Sequence, residues 1–356
     1  MGEGREQNEA FVTLATNDTY ALGCLVLGSS LRRVGTTRQL AVMVTSGVSQ
    51  SMRQQLGGLF NQVVEVNVLD SSDTCNLELL GRPDLSVTFT KFHCWRLTQY
   101  QKCVFMDADT LVVQNVDELF DREELSAAPD AGWPDCFNSG VFVYVPSEQT
   151  YRNLLSFAVT GGSFDGGDQG LLNLYFNKWA TEDIGKHLPF TFNVVSQAFY
   201  SYLPAFKQFY DNIKVVHFIG AVKPWHHAYN TASRTVTQLP GTGHSQQFLQ
   251  MWWNIFMDSV QPNLDPQLYE SSVVSQNLSC SGIAGDLANM SLERSGEDGA
   301  MRDDRERKLQ WEQGQADYMG VDRFDNIKAR LDEKIAQPTP SGSGKAPEDQ
   351  PPPPSE

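Results

Sequence analysis

Lys102-Cys-Val-Phe-Met-Asp-Ala-Asp-Thr-Leu-Val112 decides the fold. The apolar run Cys103 to Met106 has the composition of a strand buried on both faces of a parallel sheet. It runs straight into Asp107-Ala108-Asp109, and then apolar character resumes. In open α/β sheets ligands bind just beyond the carboxyl ends of strands, which is where this pair falls. Two carboxylates one residue apart repel each other unless a cation sits between them. A bound divalent metal removes that repulsion and can hold the phosphates of a nucleotide. The same composition also suits a solvated acidic turn, so the pair takes its meaning from the chain around it.

Upstream, Ala10-Phe-Val-Thr-Leu-Ala15 reads as a strand, and Thr16-Asn-Asp18 as the cap of a helix beginning near Tyr20. The turn has no G-x-G-x-x-G, which argues against an ordinary dinucleotide fold. Strands follow at 40–44 and 62–68 with a helix at 49–59 between them, and Thr88–Tyr100 reads as a helix carrying Lys91, His93 and Trp95. Downstream, 136–144 is a strand whose Asn138-Ser139-Gly140 suits close approach to a sugar or phosphate. A helix at 147–159 leads into Ser163-Phe-Asp-Gly-Gly-Asp-Gln-Gly170, where glycines free the backbone and Asp165, Asp168 and Gln169 supply hydroxyl-binding or catalytic groups. Helix resumes at Gln169. Lys214–Gly220 is a last strand bearing a single His217, followed by Lys223-Pro-Trp225, and 247–256 is an apolar helix. The alternation implies an α/β fold: a mostly parallel sheet with helices on both faces.

Five segments emerge: a loose N-terminus at 1–9, a globular domain at 10–260, and a polar disordered linker at 261–306. An amphipathic island follows at 307–335, and a Pro-rich disordered tail at 336–356. The 356 residues carry a net charge of −16, which disfavours nucleic acid or an anionic membrane as a partner. A polyphosphate ligand therefore needs a local group of cations or a metal. The six cysteines are scattered without a disulfide-like rhythm, and no apolar run approaches the ~18 residues of a membrane span. With no signal-peptide pattern either, the expected compartment is the cytoplasm.

The strand-end Asp-x-Asp, a distal His and the acidic glycine-rich loop combine with Arg82, Lys91 and Lys223 as phosphate cations. Two carboxylates and an imidazole suit a mid-row divalent ion such as Mn²⁺. No Ser/His/Asp order, zinc-type His pair or P-loop is present, so a nucleotide-sugar transferase fits better than a hydrolase.

The stretches 11–18 (FVTLATND), 90–95 (TKFHCW), 105–111 (FMDADTL), 132–142 (GWPDCFNSGVF), 162–172 (GSFDGGDQGLL), 200–206 (YSYLPAF) and 215–220 (VVHFIG) go further. Through them the chain resembles the glycogenin family of self-glucosylating, retaining transferases of GT-A (Rossmann-like) fold, nearly continuously over ~10–230. The likeness returns at 311–320 (WEQGQADYMG), similar to the family's glycogen-synthase-binding segment. The resemblance implies UDP-glucose as donor and Asp107, Asp109 and His217 as Mn²⁺ ligands, with Ala108 between the two carboxylates. It implies Leu14, Thr16, Tyr20 and Arg82 beside the uridine, and Lys91, Gly220 and Lys223 near the diphosphate. Asn138, Ser139, Asp165, Asp168 and Gln169 would lie at the glucose; Asp168, with Lys91, would be catalytic. Tyr200 would accept the first glucose, with Tyr202 as its rival. The resemblance further implies a homodimer, a growing glucan chain as acceptor, and association with glycogen particles. Two other readings stand beside it: a related transferase with a foreign acceptor, and a non-catalytic scaffold that only recruits glycogen synthase. The intact Tyr200 segment weighs against the first, and intact Asp107, Asp109, Asp168 and His217 against the second.

Overall fold

The computed structural model describes residues 8–69, 83–197 and 203–279. All of them belong to one compact unit, Met1–Gly296; the second unit, Glu297–Glu356, lies outside the described residues, as do Arg82, Tyr200, Tyr202 and the 307–335 island. Strands β1 (Glu9–Ala15), β2 (Gln39–Val44), β3 (Gln62–Glu65), β4 (Lys102–Met106), β6 (Ser126–Pro129) and β7 (Phe137–Tyr144) form a six-stranded sheet in the order β3-β2-β1-β4-β7-β6. The first four run parallel; β7 is antiparallel to β4, and β6 to β7.

Side chains alternate across the sheet as period-2 geometry requires. Val104 and Met106 join one apolar cluster with helix α1 (Asp18–Arg33) and the Trp225–Trp252–Trp253 group. Cys103 and Phe105 join the other, with Trp95, Phe142 and Tyr144. The sheet is thus covered on both faces, as a two-sided apolar strand demands. Asn17 caps α1, its side chain accepting from the Tyr20 N–H at 3.0 Å. Cys24, Cys94 and Cys103 are buried free thiols.

Three expectations need correction. Residues Pro83–Arg96 are a 3₁₀ run rather than an α-helix. Thr88, Phe89, Thr90, Phe92, His93 and Trp95 are weak α-formers, and the run is buried continuously from Phe89 to Trp95, so packing sets its shape. Strand β3 stops at Glu65, short of the expected 68. Nor does order end at 260. Helical turns Pro266–Ser271 and Val273–Gln276 follow, and Leu278–Ser279 pairs with Ala228–Asn230. Polar composition had concealed this; Leu264 and Val274 are buried in the core, and Leu268 and Tyr269 pack against it.

Two short strands position the site. Strand β5 (Thr110–Val112) leaves directly from the Asp-x-Asp and pairs with β9 (Val215–His217), setting Thr110 opposite His217. Strand β8 (Val194–Val195) pairs with β9 from the other side. The imidazole is therefore carried to the two carboxylates by backbone pairing.

Candidate active site

A cleft of about 360 Å³ opens beyond the carboxyl end of β4, lined by Asp107, Asp109, Asn138, Ser139, Asp165, Asp168, Gln169, His217, Gly220 and Lys223. Ten of the residues expected at the site thus share one cavity. Lys91 joins them through its charge partners: its Nζ lies 2.9 Å from Asp107 Oδ1 and 2.7 Å from Asp168 Oδ2, and donates to the Ser139 carbonyl at 3.1 Å. Ser139 Oγ donates to the same Asp168 oxygen at 2.7 Å. Among the described residues this leaves Asp168 Oδ1 for a substrate. The Asp168 backbone N–H is held by Thr88 Oγ1 at 3.0 Å.

His217 Nε2 lies 3.4 Å from Asp109 Oδ1 and 3.9 Å from Asp107 Oδ2, and one ligand atom from each of the three residues falls within 4.8 Å of the others. The opposite side of the ring fixes its tautomer. Asp130 Oδ2 can only accept, so it orients the Asn138 amide, whose Nδ2 donates to it at 2.9 Å. Asn138 Oδ1 then accepts from Asn193 Nδ2 at 2.8 Å and from the Gly140 N–H at 2.9 Å. Asn193 Oδ1, left facing His217 Nδ1 at 3.0 Å, must receive its proton. With Nδ1–H engaged by Asn193, Nε2 is the ring nitrogen turned to the two carboxylates, where it can join them as a ligand to a cation. The donor set fits a divalent metal.

Charge divides the two aspartates. Burial raises the Asp107 carboxyl, and Lys91 opposes this only partly. Burial acts on Asp109 too, but the paired Lys223 ammonium and His217 outweigh it and hold that carboxyl well below the usual range. Lys91 is buried, which alone would lower its pKa; Asp107 and Asp168 together raise it, keeping it charged. Gly140 is required by crowding, since a Cβ there would meet His217 Cε1 at 2.1 Å.

Leu14, Thr16 and Tyr20 do not line this cleft. Leu14 and Thr16 stand at the carboxyl end of β1, the strand beside β4, and Tyr20, in the first turn of α1, packs edge-on against Trp225 at 5.4 Å. Ala108 is buried, and α1 comes so close that a Cβ at Gly23 would meet the Ala108 carbonyl at 2.5 Å. Sequence reasoning missed Asp130, Asn193 and Thr88. Asn193 did carry a signal: it is a polar residue inside the apolar run Phe192-Asn-Val-Val195, and it is buried.

The model of Glycosyl transferase family 8 matches residues 11–228. Glycogenin-1 of Oryctolagus cuniculus is 55% identical over 332 residues, covering 91% of this chain and 98% of that protein. Glycogenin-1 of Homo sapiens is 54% identical over 348 residues with the same two coverages, and Glycogenin-2 of Homo sapiens 56% over 258, covering 72% of this chain and 52% of its own. Among solved structures, the apo-form glycosyltransferase GlyE of Streptococcus pneumoniae TIGR4 aligns with TM-score 0.48 at 19% identity, over 75% of this chain and 64% of that one. With the cleft, the Asp-x-Asp and the relatives in agreement, the chain belongs to glycosyl transferase family 8 and, within it, to the glycogenins.

Proposed function

We propose that this chain transfers glucose from UDP-glucose first to its own Tyr200 and then to the growing α-1,4-glucan, with Mn²⁺ at Asp107, Asp109 and His217. The observation carrying this is the linked set Lys91–Asp107–Asp168, which ties the metal end of the cleft to the sugar end through one buried ammonium. The metal, when bound, neutralises charge that develops on the departing diphosphate. Lys223, paired to Asp109 and donating to the Phe218 carbonyl at 3.2 Å, adds positive charge at the same end. Asp168, with Oδ2 fixed from two sides, addresses the anomeric carbon as it becomes oxocarbenium-like. Asp165 and Gln169 hold sugar hydroxyls. Asn138 supports them: its amide oxygen and nitrogen are both engaged, so it acts by fixing the polar wall. Retention follows when the acceptor oxygen enters on the face the diphosphate leaves. The tyrosine hydroxyl, with an ordinary pKa near ~10, gives up its proton during attack, to a departing phosphate oxygen or to Asp168.

Beyond the cleft, the proposal has the protein act as a cytoplasmic homodimer bound to glycogen particles. Residues 307–335, with Trp311, Tyr318, Phe324, Ile327 and Leu331, hold glycogen synthase beside the primer. No helix among the described residues is long and apolar enough to cross a membrane.

Tyr200→Phe removes the acceptor and no part of the donor site. The variant should carry no attached glucose yet still transfer to added maltosides. Glucose mapped to Tyr202 in the wild-type chain would overturn the choice of acceptor. Deleting 307–356 should leave self-glucosylation intact and end synthase capture; a truncated chain that still captures synthase would refute that assignment.

A further inference from the structure

Two large aromatic side chains that the donor chemistry does not use lie next in sequence to residues of the cleft wall. Trp133 is 67% exposed and Phe164 51%. An exposed indole and phenyl forgo a large apolar burial and leave ring faces available to a ligand. Each sits next to a residue of the cleft wall: Trp133 follows Gly132, and Phe164 precedes Asp165.

Both are held by carboxylates. Asp130 Oδ1 accepts from the Gly132 N–H at 2.7 Å and from the Trp133 N–H at 3.3 Å, and the Cys136 N–H closes the turn on the Trp133 carbonyl at 2.9 Å. The other oxygen of Asp130 receives Asn138 and Gln169, at 2.9 and 3.1 Å. The turn bearing Trp133 is therefore braced against the sugar end of the cleft. Asp165 Oδ1 likewise takes the N–H groups of Gly167 and Gly170, at 2.9 and 3.0 Å, fixing the loop that bears Phe164. A second cavity, lined by Asp135, Cys136, Phe164, Asn173 and Phe176 among others, brings the two loops together.

We propose that Trp133 and Phe164 form an acceptor subsite at the rim, on which the distal units of an α-linked oligoglucoside stack. This rests on the glucan-extension reading above. A product that gains one sugar per turnover must leave the cleft across its rim. The C–H face of a glucopyranose, polarised by its oxygens, complements the negative face of an aromatic ring. A glucan is neutral, so the strongly acidic surface neither attracts nor repels it. Rigid loops present the rings without an ordering cost at each cycle.

The test uses the full chain with Trp133→Ala, Phe164→Ala and Trp133→Phe. Transfer from UDP-glucose to maltose and to maltohexaose is compared, and maltohexaose binding is followed by calorimetry without donor. Each alanine variant should raise KM for maltohexaose by about three- to tenfold, with kcat, transfer to maltose and UDP-glucose hydrolysis little changed. Trp133→Phe should retain most of the affinity. Unchanged maltohexaose KM and binding in both alanine variants would overturn the proposal. So would a changed sedimentation coefficient with unchanged maltohexaose affinity, which would make the rim a protein interface. The two rings stand on different loops, so a folding failure in one variant leaves the other decisive. A wild-type chain that transfers to no maltoside would count against the glucosyltransferase reading itself, while maltohexaose binding lost in both variants would still support the subsite.

Discussion

The two ends of the cleft are built differently. At the end proposed for the metal, Asp107, Asp109 and His217 stand at strand termini, positioned by ladder pairing and faced by the buried ammonium groups of Lys91 and Lys223. At the end proposed for the sugar, Asn138, Gln169, Asp130 and Asp165 are joined by amide hydrogen bonds and loop N–H groups. The first end is charged, and its three ligand-type side chains converge on one point. The second is already satisfied and offers a shaped polar wall. Substitutions should therefore act in different ways at the two ends: on charge balance and metal at one, on geometry at the other.

The largest effect is expected at the metal end. Asp107→Asn should abolish UDP-glucose hydrolysis and self-glucosylation while the fold is kept, because Asp107 is partly exposed and Lys91 retains Asp168. Asp109→Asn should abolish both and also destabilise the chain by about 3–5 kcal/mol, because it strands the buried Lys223. Normal self-glucosylation by either variant in Mn²⁺ would refute the metal assignment; thermal unfolding reads the second effect.

Asp168→Asn tests the junction between the ends. Transfer should fall by orders of magnitude with donor affinity little changed. Calorimetry showing lost donor binding would make Asp168 a binding residue instead.

Asn193 separates the ends most cleanly. Asn193→Leu removes the acceptor for His217 Nδ1–H, and metal affinity should drop about 10–100-fold. Asn193→Asp keeps that acceptor but removes the donor to Asn138, so metal affinity should survive while KM for UDP-glucose rises. Equal metal loss in both variants would show that the relay does not orient the imidazole.

A smaller effect concerns pH. His227 is buried, its Nδ1 accepting from the Leu239 N–H at 2.9 Å. Burial first, then His244 and His226, depress its pKa from 6.5 to about 4. Its neutral form is the folded one, so the unfolded chain binds more protons between these values. The stability from this group is complete above pH 6.5 and is lost as pH falls toward 4, about 2 kcal/mol of it by pH 5. His227→Gln should flatten the unfolding midpoint against pH in that window; an unchanged slope would contradict the assignment. Least of all, Gln169→Ala should cost about 1 kcal/mol of donor binding, read as a several-fold rise in KM.

The same division explains what was legible in the sequence. Asp107 and Asp109 stood out because an apolar strand ended on them, and His217 because it interrupted another such strand. Strand ends are periodic signals, and the metal end is made of strand ends. Asp130 and Asn193 were harder to see because turns and loop junctions commonly carry Asp and Asn; only the chain of donors from Asp130 to His217 gives them roles. The antiparallel β7 reads like a parallel strand, since both of its faces are buried along its length. The 3₁₀ run at 83–96 could not be told from an α-helix by apolar content alone. The order at 266–279 depends on pairing with a strand some fifty residues away, which local composition does not record.

Intact-mass spectrometry of the freshly expressed chain tests the central claim most directly. Incubation with UDP-glucose and Mn²⁺ should produce a ladder of masses spaced by one hexose. The ladder should be absent when the metal is chelated, in Asp107→Asn, and in Tyr200→Phe. A hexose ladder that forms with metal chelated, or that persists in Tyr200→Phe, would contradict it.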